Sequence, residues 1–186
     1  AATLERMRRA GAVLVGNKDG PDMGGVGGAE LVVLLTELKV DLNAYHGTTD
    51  AAQVKTRALA DVIAFDRARP REVGLFGQDL FEQADARTGL ASPDYISART
   101  RARRLAGPEG IDAALEAQQL DVLVAPTTGL AWRVDPAQGD CFPGSGYGAA
   151  AVAGYPALTV PMGHSDGLPL GLTFIGPAWS EARLLR

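Results

Sequence analysis

The chain has 186 residues, a formal net charge of −4 and 46% hydrophobic residues. That is the length of one domain, able to bury roughly 70% of its unfolded surface, and its apolar content argues against disorder. No apolar run reaches the ~20 residues of a membrane helix, and the mildly acidic balance argues against a binder driven by phosphate contacts.

The opening AATLERMRRAG mixes charges and lacks the long apolar centre of a signal peptide. It also lacks Met, so a boundary within a longer chain is expected there. The single cysteine, Cys141, excludes an internal disulfide and a cysteine-based zinc site, and it fits a reducing, cytoplasmic setting.

Taken in chain order, Thr3 to Ala10 reads as a helix tail, with Leu4 and Met7 one turn apart and Gly11 as its stop. Ala12 to Gly16 is a short, wholly apolar run, which predicts a strand covered on both faces. A helix followed by such a strand is the repeating unit of an α/β sheet. Asn17 to Gly28 is a Gly- and Pro-rich loop. A helix is predicted over Ala29 to Tyr45, where Leu31, Leu34, Leu35, Leu38, Leu42 and Tyr45 form one stripe. A second is predicted over Ala51 to Ala68, with Val54, Leu59, Val62 and Ile63 facing inward and Pro70 as its stop.

Phe76 to Ala86 predicts a short helix. Ser92-Pro93-Asp94 combines a capping hydroxyl, Pro in the first turn and an acid against the dipole, so a further helix starts there. Gly107-Pro108 is read as its end, and Glu109 to Gln118 as another short helix leading into a strand at Asp121 to Ala125. Strands are predicted over Ala157 to Met162 and Leu170 to Ile175. Asp166-Gly167 within the short connection favours a hairpin, with Leu170, Leu172 and Phe174 on one face. A hairpin beside βα units implies a mixed sheet. Trp179-Ser180-Glu181 opens a last helix.

Several chemistries lack their residues. His46 and His164 stand far apart, and Asp19 and Asp22 do not have calcium-loop spacing, so no metal site is predicted. Gly24 to Gly28 precedes a helix but lies too far from Val15 for a dinucleotide fingerprint, and the P-loop Lys-Ser/Thr pair is absent. Arg99, Arg101, Arg103 and Arg104 read as a solvated helix face. A serine nucleophile needs a base within hydrogen-bond reach. Neither Ser145, in Pro-Gly-Ser-Gly-Tyr, nor any other serine shows a recognisable pairing with Lys18, Lys39 or Lys55. Cys141 has no evident partner. Asp135 and Asp140 flank a segment beyond a strand's carboxyl end, where α/β sheets place ligands. Thr127 to Tyr147 is therefore the best candidate site on position.

Three ordered blocks then carry a resemblance: Asp121-Val-Leu-Val-Ala-Pro-Thr127, Ala153-Gly-Tyr-Pro-Ala-Leu-Thr-Val-Pro161 and Gly167-Leu-Pro-Leu-Gly-Leu-Thr-Phe-Ile-Gly176, with Glu181 and Leu184 following. The chain resembles the C-terminal part of amidase signature enzymes over nearly its whole length. Thr36 to Tyr45 and Phe76 to Phe81 resemble the bacterial peptide amidase branch. The resemblance implies an α/β fold, part of a three-layer α/β/α domain around a twisted mixed sheet with a C-terminal antiparallel hairpin. It implies hydrolysis of a carboxamide to acid and ammonia, with no metal or organic cofactor. In that family a serine acts through a second serine and a lysine. An oxyanion-hole donor of the kind such a site uses is worth roughly 10²–10³ in rate.

The serine-rich signature and the lysine motif are absent from residues 1–186, so no catalytic residue is carried over. Residues 1–186 are expected to be one domain portion, cut at both ends and inactive alone. Its role would be scaffold and pocket wall, with Thr127, Trp132, Asp140 and Phe142 lining the pocket in the mix of apolar, aromatic and polar groups typical of ligand sites. The implied partners are an amide or peptide-amide substrate and the N-terminal half, with no nucleic acid and no membrane. Surface left open by that half offers a route to a homodimer. The rival expectation is a stand-alone, non-catalytic binding domain, which would have to cover its own sheet edges.

Overall fold

The computed structural model describes residues 2–16 and 20–186, apart from the Glu72 side chain. The chain divides into two compact units. One comprises Ala1–Gly25, Arg103–Asp135 and Gly139–Arg186, and the other Val26–Ala102 with Pro136–Gln138.

The second unit is helical: α2 (Gly27–Thr48), α3 (Leu59–Arg67), α4 (Pro70–Val73), α5 (Asp79–Asp85) and most of α6 (Pro93–Ala106). Its core is Leu35, Leu59, Ile63 and Ala84, with Leu38, Leu42 and Phe81 packed around them. Only part of the predicted leucine stripe is covered. Leu35 is buried, while Leu31, Leu34 and Tyr45 stay exposed.

The helix predicted from Ala51 is shorter, starting at Leu59, and side chains explain why. Asp50 Oδ1 accepts the Ala52 N–H at 2.8 Å, which closes a turn. Asp61 Oδ2 accepts the N–H groups of Arg57 and Ala58 at 2.7 and 3.0 Å, and Asn43 Oδ1 accepts that of Leu59 at 2.8 Å. These acceptors satisfy backbone donors that a helix start leaves open, so the helix begins where they converge. At the far end of α5, Lys39 Nζ donates to the Asp85 and Arg87 carbonyls, and the Asp85 carboxylate lies 3.5 Å away. A cation there suits the helix dipole.

Helix α6 begins as the sequence predicts, with Ser92 Oγ accepting the Tyr95 N–H at 3.2 Å. It does not stop at Gly107-Pro108. The chain continues through a π-helical turn, Gly107–Asp112, into α7 (Ala113–Ala117). Pro lacks an N–H and its ring crowds the carbonyl one turn back in a regular helix; the wider π turn accommodates both. The four arginines read as a solvated face are indeed exposed.

The first unit carries the sheet and α1 (Ala2–Arg9), α8 (Gly148–Ala153) and α9 (Glu181–Leu184). Strands β1 (Leu123–Pro126), β2 (Ala157–Ser165) and β3 (Leu168–Ile175) pair in the order β1-β3-β2, antiparallel throughout. The parallel component expected from Ala12 to Gly16 does not form. Among the described residues no strand offers that segment a ladder, and Val13 is 90% exposed. The hairpin is tighter than predicted, since β2 and β3 meet across Asp166-Gly167 alone. Both residues have positive φ, 53° and 80°, as a two-residue type I′ turn requires. Leu172, Thr173 and Ile175 are buried, so central strand β3 is covered on both faces. Ile111, Leu115, Ala149, Ala150 and Ile175 form the core against the π turn, α7 and α8.

Candidate functional site

The loop from β1 to α8 is closed at its root by Thr127. Its N–H donates to the Gly171 carbonyl at 2.8 Å, and its own carbonyl accepts the Gly146 N–H at 3.0 Å. Its hydroxyl lies 2.8 Å from that of Thr173, which lies 2.9 Å from that of Thr159. Thr173 is completely buried. This run of three hydroxyls crosses β3 on one face, and only glycine fits beside it. A Cβ at Gly171 would sit 2.6 Å from Thr127 Oγ1 and 2.9 Å from Thr159 Cγ2. Next along, Thr128 Oγ1 donates to the Gly144 carbonyl at 3.0 Å and Thr128 pairs with Ser145.

Further out, Asp135 pairs with Gly139, whose N–H reaches the Asp135 carbonyl at 2.8 Å. Beyond that turn, Trp132, Asp140 and Phe142 come together. Trp132 Nε1 donates to Asp140 Oδ1, which also accepts the Cys141 N–H at 3.1 Å. The Trp132 and Phe142 rings are 5.9 Å apart and tilted by 59°, a favourable aromatic geometry. Both rings keep substantial exposure, 39% and 56%. Of the four residues chosen from sequence, three thus form one cluster and Thr127 is turned onto the sheet.

The other sequence candidates are placed as follows. Asp19 lies outside the described residues, while Asp22 Oδ1 accepts the Gly24 N–H at 2.8 Å as a turn former. No group of three or more His, Cys, Asp or Glu residues capable of holding a metal occurs among the described residues. His46 Nδ1 is 3.5 Å from the Thr56 hydroxyl, in an apolar cavity of about 370 Å³ lined also by Leu42, Val62, Phe65, Asp66 and Phe81. None of Thr127, Trp132, Asp140 and Phe142 lines it. Lys55 Nζ donates to the Ala51 carbonyl at 3.0 Å, and Lys39 is held at the end of α5. Cys141 is exposed, and Ser165 lies 3.4 Å from the Asp166 carboxylate.

Sequence reasoning missed Thr159 and Thr173, although alternate positions on paired strands signal a shared face. It also missed Tyr155, whose hydroxyl donates to Asp112 Oδ2 at 2.6 Å. That hydrogen bond, with burial and the nearby negative charge, pushes the Tyr155 phenol up to about 12.

The helices and the small antiparallel sheet match the α/β fold of amidase signature proteins. The Amidase family model matches residues 31–185, and the chain belongs to that family. It is similar to the solved peptide amidase PAM in complex with the competitive inhibitor chymostatin: 56% identity, TM-score 0.89, covering 99% of this chain and 37% of that one. Native peptide amidase from Stenotrophomonas maltophilia gives 56% identity and a TM-score of 0.85 over 99% of this chain and 36% of its own. A probable amidase of Arabidopsis thaliana is 30% identical over 189 residues, covering 98% of this chain and 33% of the relative. The resemblance to the amidase signature family and its bacterial peptide amidase branch is thus borne out. The chain spans about a third of the length of these relatives. Among the described residues, no helix is long and apolar enough to cross a membrane.

Proposed function

We propose that residues 1–186 are the C-terminal portion of a single amidase domain. They supply scaffold and substrate-pocket wall to an enzyme that hydrolyses carboxamides, including peptide amides, to acid and ammonia. One observation carries this reading: 56% identity over 99% of the chain to a peptide amidase that binds chymostatin, a match that stops at about a third of that enzyme's length. Trp132 and Phe142 form an aromatic face of the pocket. Asp140, its orientation fixed by the indole and the Cys141 amide, gives that face a polar edge, and Thr127 stands at its root. The reacting serine and lysine belong to residues this chain does not contain, so the chain alone turns over no amide.

The test is a fusion. The last third of the Stenotrophomonas maltophilia peptide amidase is replaced by this chain, and ammonia release from a peptide amide is measured for the fusion and for residues 1–186 alone. An active fusion with a silent chain supports the reading. Turnover by the chain alone, above a heat-killed control, removes it. So does a folded but inactive fusion, which would favour the stand-alone binding domain.

A further inference from the structure

We infer that Thr127 is a positioning residue, the clamp that sets the loop carrying Trp132, Asp140 and Phe142, and that its hydroxyl does not contact substrate. The inference rests on the reading of that loop as pocket wall, and it changes the part Thr127 plays there.

Each of its three polar groups is bonded to the frame. The N–H goes to β3 through Gly171, the carbonyl to the returning end of the loop through Gly146, and the hydroxyl to buried Thr173. One residue thus ties the loop's departure, its return and the central strand together. Within the run of hydroxyls, Thr173 bridges two neighbours and has a single hydrogen to give. It donates to at most one of them, and whichever of the pair donates, the 2.8 Å contact with Thr173 holds the Thr127 hydroxyl against the sheet. Gly171 keeps open the space the Thr127 side chain fills, since a methyl there would meet Oγ1 at 2.6 Å. A substrate-binding hydroxyl needs a lone pair or hydrogen aimed at the ligand. This one is aimed at the sheet.

Three variants of the 186-residue chain, T127V, T127S and T159V, are compared with wild type by amide hydrogen exchange across residues 128–146. Losing one hydrogen bond predicts roughly tenfold faster exchange in T127V at Gly146 and in the Trp132–Phe142 segment. T127S restores the wild-type rate. T159V removes the far hydroxyl and leaves loop exchange within about twofold of wild type. Unchanged exchange in T127V, no rescue by T127S, or equal loosening by T159V overturns the inference. Should T127V fail to fold, a folded, protected T127S supports the clamp and an unfolded T127S overturns it. In the peptide amidase fusion, T127V raises KM severalfold with kcat held, and T127S reverses the rise; a loss confined to kcat counts against positioning. An inactive wild-type fusion would remove the pocket reading alone, because the exchange rates still decide whether Thr127 clamps the loop.

Discussion

Replacing Tyr155 by Phe removes one hydroxyl and keeps the ring that faces Gly107, where a Cβ would lie 3.3 Å from the phenol carbon and oxygen. The loss is therefore the 2.6 Å hydrogen bond to Asp112. A phenol moved from 10.0 to about 12 corresponds to at most about 2.7 kcal/mol at 1.36 kcal/mol per unit. A hydrogen bond to a charged acceptor contributes about 1.5–3 kcal/mol. The residue is half-buried, and solvent weakens the electrostatic share. The expected cost of Y155F is thus about 1.5 kcal/mol, read as a lower urea midpoint at unchanged m-value. The pH dependence adds a second reading. Because the folded phenol holds its proton more tightly than the unfolded one, its contribution is complete below pH 10. It fades as pH rises towards about 12, where the folded group ionises. Wild type should lose stability over that window by about 1.5 kcal/mol more than Y155F does. D112N combined with Y155F in a double-mutant cycle isolates the pair. If Y155F matches wild type within about 0.3 kcal/mol, or both decline equally between pH 10 and 12, the reasoning fails.

Gly167 sits at φ 80° in the hairpin turn, so G167A should destabilise by about 1–2 kcal/mol while G167N recovers much of that, measured by thermal melting. L59A empties the centre of the helical unit, where Leu59 is wholly buried. It should cost about 2–5 kcal/mol and speed amide exchange in α3 and α5. D61A leaves the Arg57 and Ala58 N–H groups without their acceptor and should cost about 1 kcal/mol, with fraying confined to the first turn of α3 by hydrogen exchange.

Local signals in the sequence survive into the structure where the deciding atoms are neighbours in the chain. Asp166-Gly167 dictates its turn because the two left-handed residues are adjacent, and Ser92 caps α6 from within the same turn. Readings failed where the deciding partner is distant or absent from view. Ala12 to Gly16 has the composition of a strand, but composition supplies no ladder. The apolar spacing that ran a helix back to Ala51 could not register that Asn43, sixteen residues away, and Asp61 would take the backbone donors at Leu59 and before it. Gly107-Pro108 reads as a stop, yet the Tyr155 ring packs against Gly107 and the helix widens past the proline. In the candidate loop, the Trp132, Asp140 and Phe142 chosen for their aromatic and acidic character do come together. Thr127, chosen with them, bonds instead to hydroxyls of the sheet. Its neighbours there, Thr159 and Thr173, come from the hairpin, and strand register alone brings them together.

The two outer strands of the sheet each contain a proline, Pro126 in β1 and Pro161 in β2, and β2 is further interrupted by a register shift between Pro161 and Gly163. Proline offers no N–H, and an irregular rim twists away from a straight approach. Neither margin can therefore present an unbroken row of donors to another molecule. Replacing both prolines by threonine would restore those donors and turn the margins into templates. The same chain, with its core untouched, would then be expected to form fibrils when concentrated.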